Sequence, residues 1–225
     1  MKKALAICSA WLVFWGPCLL ASGNHSPVPP SASKAADRDL AEIVGAAAAG
    51  WQGYSRLIPR DDPAGYGFRS VDELAAVELG APVEIHAFAY ERFADSSAGD
   101  EALVAFTGHW RVPLLVGGEA RAFVTVTEQG GRLTAVEFGA AGLAGELEKY
   151  RLGLASDQQL VLVRYYPQSA DFVGIKRIHE SVTSGIFYPL RSGRTCLRQA
   201  GALRQVGFGF HELVQSVRQL PPRGE

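Results

Sequence analysis

Apolar residues first recur at helical spacing between positions 40 and 51. Leu40, Ile43, Val44, Ala47 and Trp51 fall on one stripe, which predicts an amphipathic helix over 37–50. Asp37 and Asp39 suit its positive N-terminal end, and Gly50 with Gly53 is expected to stop it. Ser70-Val71-Asp72-Glu73 has the spacing of a capping box, in which Ser70 and Glu73 satisfy each other's backbone amides. Leu74 and Val77 form the apolar stripe of the short helix that would follow, and Gly80 ends it.

Past Pro82 the period changes from helical to two. Val83, Ile85, Ala87 and Ala89 alternate with Glu84, His86, Phe88 and Tyr90, so the second set is expected on one face of a strand. Three β-rich runs follow at 110–116, 120–128 and 133–138, separated by Gly117-Gly118 and Gly130-Gly131. Glycine pairs between such runs signal hairpins, because the favoured tight turns need positive φ. Pro113 lacks the N–H of a ladder position and predicts an edge or a bulge. Leu143, Leu147 and Tyr150 mark a short helix. The near-continuous apolar run 160–166 reads as a central strand stopped by Pro167, and 172–178 and 186–190 as two more strands. Leu213, Val214, Val217 and Leu220 place a final helix at 210–220.

With helices at the front and end and hairpins between, the order predicts an α+β domain over 37–225. Its sheet would be mainly antiparallel, a meander of hairpins with flanking N-terminal and C-terminal helices. With 48% apolar and 20% charged residues the chain is globular in composition and long enough to bury a core.

The first 23 residues change where this domain is expected to work. Lys2 and Lys3 precede an uncharged run from Ala4 to Trp15, and small residues Ala21, Ser22 and Gly23 follow Pro17. This is the layout of a signal peptide cut near Gly23, and it implies a periplasmic or secreted protein. An uncleaved leader would act as a membrane anchor instead. Trp15-Gly16-Pro17 ahead of Cys18 departs from the Leu-Ala-Gly-Cys pattern of lipoproteins and argues against lipidation. Residues 24–36, with Pro27, Pro29 and Pro30, read as a flexible tether. Removal of the leader takes Cys8 and Cys18 with it, so Cys196 has no internal disulfide partner.

Net charge is −1 but unevenly spread: residues 1–148 carry 11 Lys/Arg against 18 Asp/Glu, and the remainder 11 against 5. Arg191, Arg194, Arg198 and Arg204 concentrate the positive end, and could meet an anionic membrane surface or polysaccharide, or simply the acidic half of the chain. Export and a net charge near zero speak against a nucleic-acid partner.

Catalytic motifs are weak. Cys196, the sole thiol of a mature chain, and His211 are the pair to try for cysteine-protease chemistry, but their order and spacing fit no protease pattern. No Gly-x-Ser-x-Gly elbow, no metal-ligand spacing and no phosphate-binding glycine loop is present, so no metal or cofactor is expected. Glu84, His86, Phe88 and Tyr90 form the most suggestive cluster: an acid, an imidazole and two rings on one strand face could line a ligand groove. The expected function is therefore an exported, periplasmic or envelope, non-enzymatic binding or assembly domain whose partner is an envelope protein or a small molecule. The alternative is a hydrolase working through Glu84 and His86, or through Cys196 and His211.

Overall fold

The computed structural model describes residues 39–95, 97–203 and 207–220. The leader, the tether, Asp37 and Arg204 lie outside these described residues. Five α-helices and nine strands are found among them: α1 (Leu40–Tyr54), α2 (Asp72–Ala75), β1 (Glu78–Leu79), β2 (Val83–Phe88), β3 (Val104–Val116), β4 (Glu119–Gln129), β5 (Arg132–Gly139), α3 (Ala141–Arg151), β6 (Gln158–Tyr165), β7 (Ala170–Arg177), β8 (Ile186–Pro189), α4 (Arg191–Gln199), β9 (Phe208–Gly209) and α5 (Phe210–Arg218). The fold is α+β with one large, mostly antiparallel sheet.

The strands lie in the order β5-β4-β3-β2-β6-β7-β8-β9, with short β1 beside the end of β3. Each half of this order is antiparallel; the halves are joined where β2 and β6 run parallel, Glu84 beside Val161 and His86 beside Val163. Two hairpins follow directly from glycine chemistry. Gly117 and Gly118 (φ 58° and 83°) link β3 to β4, and Gly130 and Gly131 (φ 58° and 81°) link β4 to β5. Positive φ at both central residues matches the twist of the flanking strands. Pro113 sits where the outer edge of β3 passes from β2 to β1: Arg111 is the last residue paired to β2, Leu114 pairs with β1, and the Pro113 carbonyl accepts from the Gly80 amide. Its missing N–H therefore costs little at that position.

Sequence expectations differ from the structure at Gly50, at Ser70 and at the end of β2. Gly50 does not stop α1, which continues to Tyr54. A side chain at Gly50 would run into Ala135 of β5, so the residue is there for close helix–sheet approach. The capping box at Ser70 does not form: α2 is a single turn capped by Val71, and Glu73 instead accepts the Arg69 amide at 2.7 Å and pairs with Arg121 at 3.1 Å. The alternation through Tyr90 ends at Phe88, because Ala89 (ψ 72°) turns the chain into a 3-10 segment at Tyr90–Arg92.

Alternation along the strands sorts the core into two faces. On one, α1 lays Ile43 and Ala47 against Phe106, Trp110, Val112 and Val124, while α4 and α5 cover Val161, Val163, Phe172 and Phe187 with Leu197, Phe210, Leu213 and Val217. On the other, α3 packs Ala144 and Leu147 over Val83, Phe123, Leu160, Leu162 and Val173. Each buried Val, Leu, Ile or Phe among them contributes about 1.5–3 kcal/mol.

Candidate functional site

Between the α1 cluster and the α4/α5 cluster, the central strand β2 interrupts the apolar face with Glu84 and His86. The strand registers explain the grouping. Trp110 of β3 lies opposite Glu84, Phe106 opposite His86, and Lys176 of β7 pairs with Gln159 of β6. These residues line a cavity of about 530 Å³ whose rim comes from Leu40 of α1 and from Glu180 and Ser181 after β7.

Inside it, Glu84 Oε2 and His86 Nε2 are 3.1 Å apart. The His86 side chain is 11% exposed and that of Glu84 29%, with the His86 ring edge-on to Phe106 at 5.6 Å. Burial pushes the Glu84 carboxyl up, but the His86 hydrogen bond and charge, joined by the positive charge of Lys176, outweigh it and hold the group below its ordinary 4.5. Lys176 is itself buried, which lowers its own proton affinity against the pull of Glu84 and Glu180. Its ammonium donates to the carbonyls of Glu180 (2.7 Å), Ile178 and Arg177 (3.4 Å each), so it ties down the segment that forms the rim. Across the mouth, Glu101 accepts from Ser181 and Thr183 at 2.5 Å each.

Glu84 and His86 therefore share a cavity, whereas the two predicted rings do not join them. Phe88 is 4% exposed and packs against Phe93, Tyr165, Phe172 and Phe210. Tyr90 stands at the surface beyond the strand end, 51% exposed. Cys196 and His211 are held by different neighbours: the Cys196 thiol faces the Gln168 carbonyl at 3.6 Å, and exposed His211 lies 3.7 Å from Asp100. Of the basic group, Arg194 donates to Glu146 (3.2 Å) and to the Pro189 carbonyl (3.0 Å), Arg191 approaches Glu146 at 3.9 Å, and Arg198 is exposed on α4. Part of the positive charge of the C-terminal half is thus spent on α3, inside the acidic half of the chain.

The opposite sheet face carries a second polar group that sequence reasoning missed. Arg111 of β3, Arg164 of β6 and Asp171 of β7 converge with His109, Thr125 and Glu137 on a cavity of about 190 Å³. Their signal was available: Arg111 and Arg164 each stand as a lone charge inside an apolar strand run, a costly placement that calls for a partner or a role. Lys176 at the end of β7 lacks this signal, because Arg177 follows it directly.

Among the described residues no group of three or more His, Cys, Asp or Glu could hold a metal ion, and no helix is long and apolar enough to cross a membrane. No family model, curated protein or solved structure matches the chain.

Proposed function

We propose that the chain is an exported, non-enzymatic binding domain, and that the cavity over β2 takes a small molecule presenting an amine or hydroxyl donor. The observation that carries this reading is the Glu84–His86 pair, half-enclosed between two apolar clusters where packing alone would favour hydrocarbon. Replacing such a pair with apolar side chains of similar size is commonly neutral or stabilising, so its retention fits a binding role. With His86 on one carboxylate oxygen, the other has room to accept from a ligand. Phe106 and the segment fixed by Lys176 supply walls.

The leader adds the address: cleavage near Gly23 would release the domain outside the cytosol, with residues 24–36 as its tether. The hairpins bracketed by an N-terminal and a C-terminal helix then serve as a rigid frame, while exposed Arg198 leaves a small basic surface for an envelope protein or anionic polymer.

The test is a thermal-shift and ligand-observed NMR screen of the mature chain with small amines, polyols and sugars. Hits should bind the native protein and be lost in Glu84→Gln. An empty screen, hits indifferent to Glu84→Gln, or turnover of a hydrolase substrate would overturn the reading.

A further inference from the structure

Arg111 occupies the middle of β3, points to the face opposite Glu84, and is 9% exposed. Its Nε is enclosed with no hydrogen-bond partner, and Arg111 forms no ion pair with any carboxylate among the described residues. The nearby acids are already engaged. Asp171 holds Arg164 through contacts of 2.7 and 3.2 Å and also accepts from the Ser192 hydroxyl, while Glu137 accepts from Thr125 at 3.1 Å. Arg164 adds a like charge, and the Phe123 ring, 5.9 Å from the guanidinium carbon, supplies only a weak cation–π contact. A buried guanidinium left in this condition destabilises a fold unless something pairs with it.

We propose that this cavity is a binding site for a short monocarboxylate, its two oxygens taken by the Arg111 guanidinium. A planar guanidinium matches a carboxylate with two parallel hydrogen bonds, which a lysine cannot reproduce. The charges decide in favour of a monoanion. Arg164 and Asp171 cancel, and Glu137 at the rim opposes a second negative charge, which disfavours a phosphate dianion. Ile85 and Leu162 form the apolar wall for a short carbon chain. About 190 Å³ corresponds to roughly six water volumes, enough for a ligand of about six heavy atoms. His109 adds selectivity. Its Nδ1 lies 2.9 Å from the Thr107 carbonyl, which can only accept, so Nδ1 donates there and Nε2 is the ring nitrogen left for a ligand hydroxyl.

The experiment is calorimetry and melting of the mature chain with lactate, acetate and inorganic phosphate, on the native protein, Arg111→Met, Arg111→Lys and Glu84→Gln. Lactate and acetate should bind saturably and raise the melting temperature. Arg111→Met should abolish binding while melting at or above the native ligand-free protein, because it removes an uncompensated charge. Arg111→Lys keeps the charge without the fork and should bind about tenfold more weakly; it also serves if Arg111→Met fails to fold. Glu84→Gln should bind carboxylates normally, which separates this site from the one across the sheet. No saturable carboxylate binding, undiminished binding by the Arg111 variants, or preference for phosphate would overturn the proposal.

Discussion

Arg164 and Asp171 face each other across β6 and β7, Nε to Oδ1 at 2.7 Å and Nη2 to Oδ2 at 3.2 Å. This two-point pairing takes the carboxylate nearest the middle of that sheet face and leaves Arg111, on the far side of β2, without one. The pair is about one-third and one-fifth exposed (35% and 21%), so solvent screens part of its attraction. A double-mutant cycle of Arg164→Ala and Asp171→Ala should therefore give a coupling of about 1 kcal/mol in urea melts. Asp171→Asn alone should cost more than Arg164→Ala alone, since it leaves two arginines on one cavity with Glu137 at the rim as their remaining carboxylate. Equal costs would mean that Arg164 and Arg111 do not sense each other.

Glu84 makes the acid limb of the stability curve a direct readout of its pair with His86. Burial opposes ionisation, yet the His86 bond and charge and the Lys176 charge prevail, so the folded-state value is below the ordinary 4.5. A carboxyl lowered on folding binds fewer protons in the native than in the unfolded state. It stabilises the fold above its unfolded pKa, and that contribution is lost as pH falls through the folded one. Glu84→Gln should be less stable than the native protein near neutrality, and the gap should close as the solution is acidified below 4.5. A gap that stays constant with pH would show that the carboxylate is not favoured by its surroundings.

The strands were legible where local chemistry dictates them. Glycine pairs at 117–118 and 130–131 and alternation at 83–88 require only neighbours in the chain. The parallel β2–β6 pairing was not legible, because it joins residues 84 and 161 through contacts that neither segment encodes alone. The start of β3 was hidden for a different reason. Between Ile85 and His86 the register skips Thr107 and Gly108, and Gly108 adopts φ 76°. This bulge breaks the alternation that would mark 104–109 as strand. It is held by Thr107 donating to the Ile85 carbonyl at 2.7 Å and Thr127 to that of Gly108 at 3.1 Å. Glu84 and His86 were recoverable as a face of one strand, whereas Lys176, Trp110 and the arginine cavity depend on which strands become neighbours.

If residues 1–23 are removed on export, intact-mass measurement of protein recovered from outside the cytosol should show a chain beginning near Gly23 and carrying one cysteine, Cys196. Alkylation should then add a single label per chain. A full-length mass in the membrane fraction would instead support the anchor, and a full-length mass in the cytosol would remove the address altogether.

Two glycines of α1 should respond oppositely to the same substitution. Gly45 is exposed, and a methyl there would meet nothing within 4 Å. Gly45→Ala should therefore stabilise the protein by about 1 kcal/mol through helix propensity and the loss of unfolded-state freedom. Gly50 lies a little over one turn further on, where the helix crosses β5. Its added Cβ would overlap that of Ala135, 2.2 Å away. The same gain in propensity is then offset by displacement of α1 from the sheet, at about 1–3 kcal/mol for an overpacked contact. Displacing α1 also moves Leu40 and Ile43, which line the Glu84 cavity, so Gly50→Ala should weaken any ligand held there while Gly45→Ala leaves it unchanged. Chemical melts of both variants with the ligand present and absent check the pair. Stabilisation by Gly50→Ala would mean that α1 does not need the bare backbone at this crossing.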